Sequence, residues 1–385
     1  MSTDIFPKVV ITGDYFCNRE NEREELGAYI LKGRHTWLQA HRRHGKTSLV
    51  AQCVEDLQHS HSLYYSRVFL SFSIDEAACI RKIIKSIDSI IHAFFNAHEP
   101  EQPLGEKMIR FASLLSEVFR KLQPTISLQN NRPVISTAKN FDIVALEDAL
   151  AGLNALAAKF DFRAVLFIDE FQEIAKLKEH LMLESTIREQ VEDATHLTFI
   201  FAGSEKTLMQ QAFTNKKRPL YKHLQPFEVK RISTPCYHKH LNKLARDRWQ
   251  HPMDEDAFET LMFLTQRHPY YVNFLCDELW KKEMPPTRHD VEEAWNVVVY
   301  KAKREGAYQD SALTLNEIRV ITGIANGFTQ NMTRKDVVRS LDMAASSIQS
   351  TLKALIEKGF IDENEDGYYV IDPGLATFAL RQAGN

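Results

Sequence analysis

The feature that most restricts how this chain can fold is a short apolar run, TWLQA (residues 36–40), that breaks into HRRHGKT. It is followed by SLVAQCVEDLQ, whose apolar residues recur at helical spacing. A strand, a tight basic turn ending in Gly-Lys-Thr and then a helix make a cradle for an anion. Gly45 lets the backbone turn tightly enough for successive N–H groups to face one point, and the start of the helix adds positive potential. Lys46 supplies a mobile cation for β- and γ-phosphates, and Thr47 offers a hydroxyl to Mg²⁺. The pattern GxxxxGK[ST] falls on residues 40–47, with Ala40 in the first glycine position, where alanine serves if φ is negative. The expected phosphate-binding residues are therefore Ala40, His41, Arg42, Arg43, His44, Gly45, Lys46, Thr47 and Ser48. A chance GKT at a helix start is the competing reading, and the flanking strand and helix count against it.

A second element points to the same chemistry. The apolar run AVLFI ends in Asp169 and Glu170, so a buried strand would deliver two carboxylates to the carboxyl edge of a sheet. Ligands of open α/β sheets bind at that edge. Asp169 is expected to join Thr47 in holding Mg²⁺, through a water, and Glu170 to polarise the attacking water. With Lys46, this sets the expected cofactors as ATP and Mg²⁺ and the activity as ATP hydrolysis. YYSRVFLSFS, LTFIFAGS and PFEVKRI read as further strands, separated by helical stretches. Apolar rather than alternating strands indicate a parallel sheet covered on both faces. Residues 75–160 are mostly helical in pattern, with QPTISLQNNRPVISTAKN expected as a loop.

Two further residues are candidates for catalysis, each with a plainer alternative. Ser204 ends the LTFIFAGS strand and would sense a γ-phosphate if that strand lies between the other two; equally, it would cap the next helix. Arg218, in NKKRPLY, is a candidate arginine finger in cis or from a neighbouring subunit, or one residue of a solvated basic loop.

Composition excludes several classes. Hydrophobic residues make up 44% and charged residues 26% of the 385, as in ordinary globular domains, and no apolar run is long enough for a membrane span. The first residues lack a basic region followed by an apolar core and do not read as a signal peptide. Five scattered cysteines without a CxxC spacing suggest reduced thiols and a cytoplasmic protein. The 15 histidines form no ligand pattern such as HExxH.

The order FCNRENEREEL, AHRRHGKTSL, FIDEFQEI, FAGSEKTLM, RPLYKHLQPFEV and HPYYVNFLCDELW resembles the archaeal-type ATPases of the AAA+/STAND group, over nearly the whole chain. The resemblance implies an α/β P-loop NTPase domain of the ASCE type, a helical lid and a C-terminal winged helix. On this reading the ATPase domain spans residues 1–233, with a helical insertion at about 75–160; the lid takes 234–307 and the winged helix 308–385. It further implies that Asn18 and Arg19 lie near the adenine and that His268 and Pro269 contact nucleotide from the lid. Here Ala40, Asn18 and the pair Gln266-Arg267 stand where the family pattern has glycines.

From Ser311 to Asn385 there are seven Lys/Arg against nine Asp/Glu, a net of −2, and the expected wing carries the acidic run DENED. Duplex binding rests mainly on neutralising phosphates, so this tail is read as contacting protein, through a partner or self-association, before duplex DNA. Three functions stay open: an ATP-dependent switch, with signalling or defence as its setting; a DNA-associated ATPase similar to origin-recognition initiators; and a scaffold that binds ATP without turnover.

Overall fold

The computed structural model describes residues 5–6, 10–17, 19–98, 101–119, 121–130, 132–306 and 313–383. Two compact units emerge. One comprises Arg19–Arg42 and Lys46–Val229; the other comprises the described residues of Met1–Asn18, Arg43–Gly45 and Lys230–Asn385.

The first unit is α/β. Its elements run α1 (Glu20–Leu31), β1 (Thr36–Gln39), α2 (Lys46–Gln58), β2 (Leu63–Phe69), α3 (Glu76–Ala97), α4 (Leu104–Val118), β3 (Thr125–Gln129) and β4 (Arg132–Ser136). There follow α5 (Ile143–Lys159), β5 (Arg163–Asp169), α6 (Gln172–Ala175), α7 (His180–Asp193), β6 (Leu197–Ala202), α8 (Lys206–Thr214) and β7 (Gln225–Glu228). Five strands form a parallel sheet in the order β2-β5-β6-β1-β7. Every residue of β6, and all but the first of β5, is buried. Strands covered on both faces gain from apolar side chains pointing either way, which is why AVLFI and LTFIFA do not alternate. The order sets β6 between β1 and β5, so the chain leaves all three neighbouring strands at one carboxyl edge.

Helices cover this sheet for legible reasons. Asp75 caps α3, its carboxylate accepting the Ala78 N–H at 2.7 Å, and Asp142 caps α5 in the same way at 2.8 Å. Along α3, Ile80, Ile83, Ile84, Ile87, Ile91 and Phe94 recur at three- and four-residue steps and are buried. Each such side chain is worth about 1.5–3 kcal/mol, and each cap about 1 kcal/mol.

The stretch expected as a loop after α4 is instead an antiparallel hairpin, β3–β4, with Ile126 opposite Ile135 and Leu128 opposite Pro133. Two prolines and many polar residues mask a period-two pattern. Pro133 is tolerated because a two-stranded sheet has only edge strands. Asn130, at φ 50°, supplies the left-handed backbone of the turn.

The second unit holds two apolar clusters. Tyr237, Leu241, Phe258, Leu261, Leu275 and Trp295 belong to the first, built on α9 (Thr234–Trp249), α10 (Glu255–Thr265), α11 (Pro269–Leu279) and α12 (Arg288–Arg304). The second joins Val320, Ile321, Leu341, Ile348, Leu355 and Val370, from α13 (Leu315–Ala325), α14 (Lys335–Leu341), α15 (Ala345–Glu357), β8 (Ile361–Asn364) and β9 (Gly367–Val370). The last two strands form a hairpin that turns at Glu365 and Asp366, the wing expected from the sequence. A further helix, α16 (Pro373–Ala383), closes this part. It starts at Asp372, whose Oδ1 accepts the Leu375 N–H at 3.0 Å and the Tyr271 hydroxyl at 2.6 Å.

Candidate functional site

The connection from β1 to α2 contains two left-handed residues, Gly45 at φ 81° and Arg43 at φ 63°. Glycine adopts that conformation freely, whereas arginine there carries strain of about 1–3 kcal/mol that its surroundings must hold. Within the second unit the Arg43 guanidinium lies over the Tyr270 ring, 4.3 Å from its centroid. The His44 and His268 rings meet edge to face at 4.8 Å. Ala40 takes no positive φ, the condition under which alanine can stand in the first glycine position.

Lys46 opens α2 and is 7% exposed. Its Nζ donates to the carbonyl oxygens of Ala40 at 3.0 Å and His41 at 2.9 Å, folding the ammonium back across its own loop. Burial pushes its pKa down to about 8, against the attraction of Asp169 and Glu170. The next residue, Thr47, donates its hydroxyl to Asp169 Oδ2 at 3.1 Å, tying the helix to the end of β5. The Asp169 side chain is 4% exposed. The same Oδ2 accepts two bonds from Arg67 of β2, from Nη2 at 2.6 Å and Nε at 3.0 Å.

Glu170 follows at φ 59°, a left-handed turn that ends the strand. Its Oε2 accepts from Ser204 Oγ at 2.6 Å and Gln172 Nε2 at 2.5 Å, and Gln172 Nε2 also lies 3.1 Å from Ser204 Oγ. Ser204 thus spends its hydroxyl on Glu170 and not on α8, whose start has no side-chain cap bond. A hydroxyl and a carboxylate 3.1 Å apart beside a buried ammonium are hard oxygen donors and a cation. That donor set fits Mg²⁺ with a polyphosphate.

The other sequence candidates fall elsewhere. Arg218 makes a bidentate ion pair with Glu184 of α7, through Nε to Oε2 at 2.9 Å and Nη2 to Oε1. Glu184 is fully buried, and a buried carboxylate requires such a partner, so this guanidinium is engaged as a structural counter-ion and does not present a finger. Arg19 is buried at φ 66°, heads α1 and donates to Glu22 at 3.0 Å; Asn18 lies outside the described residues. His268 precedes Pro269 at the start of α11, after Gln266 and Arg267 at φ 47° and 58°. The backbone there takes the conformation that paired glycines favour. Sequence reasoning missed Arg67 and Gln172. The signal for Arg67 was a charge inside an otherwise apolar strand, which asks for a partner.

Comparison with known proteins bears on this arrangement. Residues 307–381 match the family model of a probable winged helix domain. The whole chain is similar to the Walker-type ATPase of Pyrococcus abyssi, with a TM-score of 0.68 at 18% identity, covering 98% of this chain and 99% of that one. The fold is that of an archaeal Walker-type ATPase with a C-terminal winged helix. The Aeropyrum pernix ORC2 protein in its ADPNP–ADP complexes is also similar, with a TM-score of 0.56 at 13% identity over 99% of this chain and 96% of that one. Its ADP form gives 0.53 at 11% identity, over 98% and 97%. No curated protein matches the chain by sequence. Among the described residues, no helix is long and apolar enough to cross a membrane.

Proposed function

We propose that this chain is an ATPase of the AAA+ kind that binds ATP with Mg²⁺ where β1, β5 and β6 end, hydrolyses it slowly and works as a nucleotide-dependent switch in the cytoplasm. The observation that carries this reading is the Thr47–Asp169 bond, which unites the anion-binding loop with the acidic strand end. Lys46 and the loop N–H groups would hold the phosphates, with His41, Arg42 and Ser48 beside them. Thr47 and Asp169 would hold Mg²⁺, which supplies charge neutralisation at the phosphates. Ser204 and Gln172 fix Glu170 through Oε2, which leaves Oε1 to accept a proton from water. The working parts would be an ATPase domain at 1–233, although the described residues of 1–18 and residues 43–45 group with the other unit, a lid at 234–307 that would bring His268 and Pro269 to the nucleotide, and a winged helix at 308–385. Five scattered cysteines without a CxxC spacing accord with a reducing compartment.

The winged helix is proposed to contact protein. Its exposed wing residues Glu363, Glu365 and Asp366 are acidic, and Lys358, Arg319 and Arg334 are already paired with Glu317, Asp342 and Asp336. With a net charge of −2 over residues 311–385, the tail offers little positive potential to phosphates. The second reading, a DNA-associated ATPase, is favoured by the whole-chain likeness to the ORC2 protein. Turnover measured on wild type, Lys46→Ala and Glu170→Gln, with and without duplex DNA, tests both. Hydrolysis lost in each variant supports the assignment, and stimulation by DNA promotes the second reading. Equal turnover in all three removes the site from the reaction.

A further inference from the structure

Asp169 is expected to be a metal-side carboxylate, yet its Oδ2 already carries three donors: Arg67 Nη2 at 2.6 Å, Arg67 Nε at 3.0 Å and Thr47 Oγ1 at 3.1 Å. Arg67 arrives there by register. It lies on the edge strand β2, whose Phe69 is paired with Asp169 itself, and its guanidinium is flanked by the Phe69 ring at 4.9 Å. The Arg67 side chain is 33% exposed against 4% for Asp169, so the cation sits at the rim with room to leave while the carboxylate stays put. Thr47 can donate its proton to Asp169 and still offer lone pairs to a metal. A guanidinium cannot share in that way, because it is always charged and only donates.

Resting on the nucleotide-site reading above, we propose that Arg67 is the resident counter-ion of Asp169 and sets the magnesium demand of the site, holding the carboxylate without a divalent ion and giving it up when one enters. Two linked equilibria follow. Arg67 would compete for the Asp169 carboxylate with Mg²⁺ or its bound water, so it would raise the Mg²⁺ concentration the site requires. Without Mg²⁺, Arg67 screens the carboxylate from a polyphosphate, so it raises affinity for the bare nucleotide. Removing the cation therefore raises the site's affinity for Mg²⁺ while lowering its affinity for bare nucleotide, opposite changes that competition for one ligand requires. A merely structural arginine would move them together, through loss of fold.

The experiment is a titration of a fluorescent ADP analogue into full-length protein, in excess EDTA and over a Mg²⁺ series, for wild type, Arg67→Gln and Arg67→Lys. In Arg67→Gln the Mg²⁺ concentration for half-maximal binding should fall about tenfold and affinity in EDTA should weaken about tenfold, a coupling in the usual range. Arg67→Lys, which keeps a charge but loses the bidentate fork, should fall between them. An unchanged Mg²⁺ requirement in a folded Arg67→Gln protein overturns the assignment, as does weakening in both conditions. Absence of nucleotide binding in wild type overturns the site reading beneath it, a separate result.

Discussion

Replacing Arg218 separates two roles that one residue cannot fill in this structure. Its guanidinium holds both oxygens of Glu184, whose side chain is 0% exposed, while Arg218 itself is 13% exposed. Arg218→Ala therefore strands an ionised carboxylate inside the α/β unit. Breaking a buried pair from one side costs about 3–5 kcal/mol. For a cooperative unit of roughly 150–250 residues, each kcal/mol moves Tm by about 2–4 °C, so the midpoint should drop by about 6–20 °C. The double variant Arg218→Met/Glu184→Leu removes both charges and should recover most of that loss, since an apolar pair of similar volume is often neutral. Calorimetry or urea denaturation of wild type, Arg218→Ala and the double variant measures both changes. Refutation would be an Arg218→Ala protein as stable as wild type, within about 0.5 kcal/mol, that has lost ATP turnover. That result would restore the finger and leave Glu184 needing another partner.

Two pH-linked outcomes follow from buried ionisable groups. Lys46, with its pKa lowered to about 8, loses its ammonium as pH rises through 8, and a bound polyphosphate would hold the proton on. Nucleotide affinity should weaken about tenfold between roughly pH 7 and pH 9, measured by titration at constant ionic strength; a flat profile would mean that Lys46 does not meet the phosphates. Asp88 of α3 accepts from the Thr137 N–H and hydroxyl at 2.8 and 2.7 Å, yet burial pushes its pKa up to about 6. A carboxyl with a raised folded pKa contributes stability that is full below its unfolded value and lost as pH rises through 6. Asp88→Asn keeps an acceptor without charge, so it should stabilise the fold by about 1–2 kcal/mol at neutral pH. The gain should fade toward acid, below the unfolded value, and a stability loss at neutral pH would contradict this.

What could be read in the sequence was local. The cradle at Gly45, Lys46 and Thr47 depends on adjacent residues, and the two carboxylates after AVLFI need only the end of a buried strand. Each is therefore visible as a spacing. The hairpin β3–β4 was hidden because polar composition outweighed a short alternation that becomes a strand only when Ile126 and Ile135 pair. Arg218 was misjudged because a basic cluster looks solvated until a fully buried Glu184 turns out to face it. Arg67 was unreadable as part of the site, since its place beside Asp169 comes from β2–β5 register across 102 residues of chain. Gln172 is two residues from Glu170, yet its role depends on Ser204 arriving from the next strand.

The central claim is that the loop at Lys46 and the strand end at Asp169 and Glu170 form one nucleotide site. Calorimetric titration of full-length protein with a non-hydrolysable ATP analogue and Mg²⁺ tests it most directly, on wild type, Lys46→Ala and Glu170→Gln. One binding event is expected in wild type, with loss in Lys46→Ala and retention in Glu170→Gln, because Glu170 would act on water and not on the phosphates. Binding that survives Lys46→Ala unchanged, or no binding by wild type at all, would contradict it.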